Sequence, residues 1–440
     1  MCRYRCYPRA NLATHRLLDR WLLIGLAGVG AGCNTLDDLV SVDPPDRITA
    51  EVYEVPGNAP ALVAGAIGDF ECALASFIVG AGLTADELMV TGGNVHRYSY
   101  DRRSFAASGL LGAGFAIATC ANSPNGVGVY RPLSTARGQA DNVRILLEGW
   151  TDGQVPNRAL LLATMAAYGG YSYLLLGESM CSAAFDLGPE LTPAQIFALA
   201  EARFTQAITT GQNANNSDIV NMALVGRART RLSLARKADA ATDSRLVPVG
   251  YVKNATFSSS TRRRNNFVYS ENRTDLVSVE SPFWNLTDMG VSDPRVKATD
   301  TGRRGTQGNV PIWYQEKFTS LSTAIPLARG AEAQLILAEA EVAAGNLTAA
   351  VAIINTLHAR SGVGLPPFAG GTATEVLSHI IYERSAELWL EGQRLMDIKR
   401  YNLPLVPPSG TPYPLGGVYG NETCYPLPDV ERNNNPNTSD

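Results

Sequence analysis

Charge and histidine are both scarce in this chain of 440 residues: 18% are charged, four are histidine, and the formal net charge is only −4. Gathering nucleic acid by counterion release needs a basic field, and none exists here, so no DNA or RNA partner is expected. The internal basic run Arg262-Arg263-Arg264 sits among Ser, Thr and Asn and reads as a solvated loop. His15, His96, His358 and His379 show no ligand spacing, and no CxxC pair accompanies them, so neither a metal nor a cofactor is expected. GxSxG and HExxH are missing as well, which removes the usual signatures of a secreted hydrolase. These absences argue against reading the chain as an enzyme.

Long apolar runs are absent except near the N-terminus, and no later segment is expected to cross a membrane. There, Arg3, Arg5, Arg9, Arg16 and Arg20 precede an apolar run from Trp21 to Ala31, with Asp19 the one acidic residue. That is the pattern of a signal peptide, expected over 1–32. The run closes on Gly30-Ala31-Gly32-Cys33, which resembles a lipobox with Gly30 where Leu is usual, so Cys33 is the expected lipidation site. An ordinary cleavage nearby would instead release a soluble secreted protein. Residues 33–50 are polar and proline-bearing and suit a tether, leaving 51–440 as the folded body.

Cys72, Cys120, Cys181 and Cys424 remain, an even set in an exported chain, with three possible connectivities. Cys72 with Cys181 and Cys120 with Cys424 is the expected pairing, because the first two fall in one helical region.

Apolar residues recur at helical spacing over Ala61–Phe77, Ser134–Trp150, Asn157–Leu176 and Ile219–Lys237. Thr192-Pro193 supplies an N-cap and a first-position proline for a helix running to about Thr209. The hairpin Arg329–Ala344 and Leu347–Arg360, separated by Gly345-Asn346, is TPR-like, and one last long helix is expected over Thr374–Arg400. Helical periodicity is lost over about 238–325, an expected loop-rich, short-strand lobe between scaffold segments at about 61–237 and 326–400, and 401–440 reads as coil on the surface.

Two groups of residues invite a functional reading. Glu383, Glu387 and Glu391 fall four apart on one helix face, but interleaved Arg384, Arg394 and Lys399 suggest surface ion pairs rather than a glycosidase carboxylate pair. Aromatics outside the long helices, Tyr98, Tyr100, Phe283, Trp284, Trp313 and Tyr314, are the candidate ligand contacts, since flat rings match the apolar faces of sugars. Trp284 stands first among them, lying after a Ser-Pro turn with no helical face to bury it. Trp150 and Trp389 are assigned to the core.

The run Arg329-Gly-Ala-Glu332, Leu335, Ala338-Glu339-Ala340, Gly345, Ile354-Asn355 and Arg360-Ser-Gly-Val363 resembles the helical hairpin of the SusD/RagB family. Ile381, Glu383-Arg384, Glu387-Leu388, Glu391-Gly392, Arg394 and Asp397–Arg400 are similar, in order and spacing, to its penultimate helix. Tyr425-Pro-Leu-Pro428, Glu431 and Asn435-Pro436 match its closing segment, and Tyr130–Val143 and Asp43–Thr49 fit earlier parts. The resemblance implies a mostly α, SusD-like helical scaffold with TPR-like pairs and a variable ligand lobe, lipid-anchored at the exterior face of the outer membrane. Such a protein would capture an oligosaccharide or similar nutrient for a SusC-like TonB-dependent transporter. The alternatives are a TPR-type scaffold for protein partners and, more distantly, a secreted hydrolase.

Overall fold

The computed structural model describes residues 50–92, 95–109, 113–120, 127–306 and 308–438. The signal peptide, Cys33 and the tether up to residue 49 lie outside the described residues. Glu54–Asp440 forms one compact unit, and the helical turn Ala50–Tyr53 falls in a separate one.

The compact unit is mostly helical. Helices α1 (Ala59–Thr84), α2 (Tyr98–Arg102), α3 (Tyr130–Gly149), α4 (Arg158–Ser179), α5 (Pro193–Asn213), α6 (Ser217–Ser233), α7 (Lys237–Ser244) and α8 (Phe267–Arg273) precede α9 (Gly330–Ala343), α10 (Leu347–His358), α11 (Ala373–Glu387) and α12 (Arg394–Tyr401). Helix α3 packs on α1, from α4 to α7 each helix packs on its predecessor, α9 continues the array against α6 and α7, and α10 and α11 pack on α9. This is the stacking of TPR-like pairs.

Local chemistry explains where many of these helices begin and end. Thr192 and Thr372 open α5 and α11 with complete capping boxes closed by Gln195 and Glu375. Asn216 caps α6 by accepting from Ile219 N at 3.0 Å. Gly345, at φ 81°, turns the chain after α9. Where α4, α5 and α6 meet, Phe204 wedges against Gly170 and Gly226, at which a Cβ would come within 2.8 and 2.3 Å of its ring. Only glycine lets these helices approach so closely.

By length and composition, α1 and α4 could each cross a membrane, contrary to the sequence expectation, but 78% and 72% of their most apolar stretches are buried inside the protein. They are core helices, apolar over most of their surface because neighbours cover most of it.

The strands are short and antiparallel: β1 (Leu88–Val90) pairs β3 (Val277–Val279), and β2 (Val252–Ala255) pairs β8 (Ile325–Arg329). β4 (Thr287–Asp288) pairs β5 (Val291–Ser292), and β6 (Ala298–Arg304) pairs β7 (Pro311–Gln315). Residues 238–325 are not free of helix, since α8 and most of α7 fall there.

Two further expectations change and a third is qualified. The disulfides are Cys72–Cys120 and Cys181–Cys424, not the expected pairs. Cys181 follows α4 directly, and the tail runs alongside it: Cys181 N donates to Tyr425 O and Tyr425 N to Ser179 O, both at 2.8 Å, which sets Cys424 opposite Cys181. That same tail is largely exposed coil, as expected, but it is anchored by residues that enter the core. Tyr413, Tyr419, Tyr425 and Leu427 are buried, Tyr425 among Tyr100, Phe105 and Phe115. Finally, the helix expected over Thr374–Arg400 breaks between α11 and α12, where Leu390 and Gly392 take φ of 54° and 78°.

Candidate ligand-binding site

The chain leaves β1 and makes a single 3-10 turn (Val95–Arg97) before α2. Buried side chains fix this segment. Arg97 clamps Glu271 through bonds of 2.6 and 3.0 Å, and Asp101 accepts from Val90 N at 3.0 Å and from Tyr413 Oη at 3.1 Å. Arg103 donates to tail carbonyls at Gly420 and Val406. On this anchored turn, half-buried Tyr98 lines a cavity of about 340 Å³ with Val95, Ser99, Arg102, Ser104 and Phe105. Tyr413 meets the Tyr98 ring edge-on at 6.4 Å. The cleft thus combines ring faces, hydroxyls and a guanidinium in a volume within the range of about 300–1,000 Å³ usual for small-molecule sites. Phe105 and Arg102 were not legible as lining residues, because their place depends on the tail folding back.

The other aromatics divide. Tyr100 and Phe283 are core residues, 0% and 2% exposed, and cannot meet a ligand. Tyr100 Oη donates to Val127 O at 2.7 Å, and Phe283 stacks on buried Trp389. Trp284 and Trp313 are half-buried and stacked on each other, with centroids 4.9 Å apart and planes 4° from parallel. Trp284 also spends its indole N–H inside the protein, donating to Val279 O at 2.7 Å. Far from lacking packing partners, it is built into the β3–β7 face. Half-buried Tyr314 lies between the guanidiniums of Arg273 and Arg303 and donates to Asp275 Oδ1 at 2.7 Å. Thr91 joins this face to the Tyr98 segment, its N–H donating to Leu276 O at 3.2 Å and its hydroxyl to Asp275 O at 2.9 Å.

The carboxylates of the charged segment are ion-paired, as expected, but they are buried rather than on the surface. Glu387 meets Arg329 at 2.8 Å and also contacts Arg360 and Arg295. Burial works against its ionisation, yet Arg329, Arg360 and Arg295 together hold its carboxyl down to about 2. Glu391 pairs with Lys317 and Arg329 at 2.7 and 2.8 Å, while Arg394 reaches Asp86 at 3.1 Å instead of its helix neighbours. Arg295, Lys317, Arg329, Arg360 and Glu387 line a cleft of about 250 Å³. A carboxylate held this firmly ionised cannot act as a general acid.

Comparison with known proteins places this architecture. The SusD family model matches residues 190–438. A SusD superfamily protein from Bacteroides thetaiotaomicron superposes with a TM-score of 0.65 at 15% identity, over 88% of this chain and 99% of its own. A SusD-like carbohydrate binding protein from Bacteroides vulgatus gives 0.64 at 14% identity, over 87% and 97%. A SusD superfamily protein from Parabacteroides distasonis gives 0.64 at 13% identity, over 89% and 99%. No curated protein matches the sequence.

Proposed function

Because this chain belongs to the SusD family, we propose that it is a non-enzymatic surface protein that captures an oligosaccharide and passes it to a SusC-like TonB-dependent transporter in the outer membrane. A lipid on Cys33 would hold it at the exterior face. The observation that carries the binding reading is the Tyr98 cleft, where ring faces and polar side chains converge on one anchored turn. Sugars offer flat C–H faces ringed by hydroxyls, and this lining answers both. The carbohydrate-binding relative from Bacteroides vulgatus lends support, its fold covering nearly its full length. Tyr98, and not Trp284, is the first expected contact, because one face of Trp284 is stacked on Trp313 and its N–H is bonded to Val279 O. Half-buried Tyr314 and Trp313 are secondary candidate contacts.

The test is a glycan array followed by calorimetry on the best hit. Tyr98→Ala should weaken that binding by more than about 1 kcal/mol, as loss of an aromatic hot spot does, with an unchanged melting temperature. Cys33→Ala should move the protein from the membrane to the soluble fraction. An array without hits, or full binding by Tyr98→Ala, would favour the helix array as a scaffold for protein partners instead.

A further inference from the structure

Away from the cleft, three elements converge on one buried point. His358 ends α10, His379 and Glu383 lie one turn apart on α11, and Asp288 comes from the short β4–β5 hairpin. One donor atom from each falls within 4.8 Å of all the others. His358 Nε2 is 2.8 Å from Glu383 Oε1 and 3.5 Å from Asp288 Oδ2, and His379 Nε2 is 3.9 Å from both oxygens. Around a tetrahedral ion with bonds near 2.0–2.1 Å, ligand atoms stand about 3.3 Å apart. The observed separations bracket that spacing.

Hydrogen bonding alone leaves this cluster unsatisfied. His358 faces an acceptor at each nitrogen, Pro366 O at 2.7 Å from Nδ1 and Glu383 Oε1 at Nε2. A neutral imidazole with its proton on Nδ1 leaves Nε2 as a lone pair aimed at a carboxylate. A second proton would resolve that contact and nothing more. Asp288 Oδ2 is buried without a hydrogen-bond partner, on a residue 4% exposed, and so is His379 Nε2. A single cation at the centre would satisfy all four donors together.

The surroundings suit such an ion. The Pro366 carbonyl fixes His358 in the tautomer that presents Nε2, the outer contact typical of a metal-bound imidazole. The His379 ring is held flat against Phe368, 4.0 Å away and 4° from parallel. Among the described residues, Arg295 is the arginine that reaches the cluster, gripping Glu383 at 2.6 and 2.9 Å and Asp293 at 2.7 Å and also meeting Glu387 at 3.4 Å. Asp288 has no arginine or lysine partner among the described residues, so a cation at the centre would meet a buried carboxylate that only the two imidazoles face. We propose that Asp288, His358, His379 and Glu383 form a closed structural site for a divalent transition metal, zinc above all, which pins the β4–β5 hairpin to the α10–α11 pair. Two imidazoles with two carboxylates and no thiolate favour zinc over a soft-metal site, and the presence of nitrogen ligands disfavours calcium and magnesium.

The test uses the full chain, stripped with chelator and titrated with zinc, then with cobalt as a spectroscopic stand-in. One equivalent of zinc should bind and raise the melting temperature by several degrees, and cobalt should give the visible bands of a tetrahedral nitrogen–oxygen site. Asp288→Asn and His379→Gln should each weaken zinc binding at least tenfold and abolish those bands, with circular dichroism confirming a folded chain. Zinc binding that both variants retain would place the ion elsewhere and overturn the proposal. So would a wild type that takes up no metal while Asp288→Asn melts higher, the behaviour of a buried carboxyl lacking a counter-ion.

Discussion

Single side chains show where reading a sequence stops. The run of Glu383, Glu387 and Glu391 announces ion pairing, but its energetic weight depends on burial, which the run does not encode. Exposed pairs contribute about 0–1 kcal/mol, whereas removing one partner of a buried pair costs about 3–5 kcal/mol, because the abandoned charge stays desolvated. The Glu387 side chain is 3% exposed and contacts three arginines from β8, the segment before β6 and the loop after α10. Glu387→Gln is therefore expected to cost about 3 kcal/mol in denaturant unfolding. A loss below about 1 kcal/mol would return these pairs to the surface class. The same limit explains the aromatics: Tyr98 and Tyr100 are two residues apart, yet one lines a cleft and the other is core, because α2 turns opposite faces to solvent and to Tyr425.

Helices are legible to the extent that their signals are local. The Thr192 cap, the proline after it and Gly345 lie within a turn of what they control, and α5, α9 and α10 begin and end near their expected positions. The break between α11 and α12 has a distant cause. Glu87, 303 residues earlier in the chain, accepts from Leu390 N at 2.8 Å, and Trp389 and Leu390 are fully buried around that bond. Gly392 seals the turn: at φ 78° a side chain is strained, and a Cβ there would lie 2.7 Å from the Phe77 ring. Gly392→Ala should cost about 2 kcal/mol, about 1 from the left-handed backbone and the rest from displacing Phe77. Substitution at Gly345, likewise left-handed at φ 81° but with open space around it, should carry the backbone part only. Equal losses at the two positions, read as shifts in chemical-denaturation midpoint, would contradict the proposed role of Phe77. The metal cluster divides the same way: His379 and Glu383 are one turn apart on a recognisable helix, while His358 and Asp288 arrive through tertiary packing.

At the scale of the whole molecule, buried carboxyls set a pH dependence that no single motif foretells. Glu87, Asp101 and Glu332 are each pushed up to about 7, in every case mainly by burial. Backbone N–H groups of Leu390 and Val90 oppose the shift in the first two, and Arg229, 3.9 Å from Glu332, opposes it in the third. In the unfolded chain these groups titrate near 4, so between about pH 4 and 7 the folded state binds more protons, and stability falls as pH rises. Glu387 has the opposite sign. Held down to about 2, its contribution is complete above about 4.5 and is lost only as pH falls below that. The two effects occupy different windows and leave a maximum between them. The melting temperature, measured in chelator so that metal release does not intrude, is therefore expected to be higher at pH 5.5 than at pH 8 and to drop again toward pH 3. Glu332→Gln isolates the cause, because it removes one of the three desolvated charges while keeping the side chain's shape. Its gain over wild type should be largest at pH 8, up to about 3 kcal/mol, and should shrink toward zero near pH 4.5. A wild type that melts higher at pH 8 than at pH 5.5, or a Glu332→Gln variant whose gain does not change with pH, would show that these carboxyls are solvated in the folded chain.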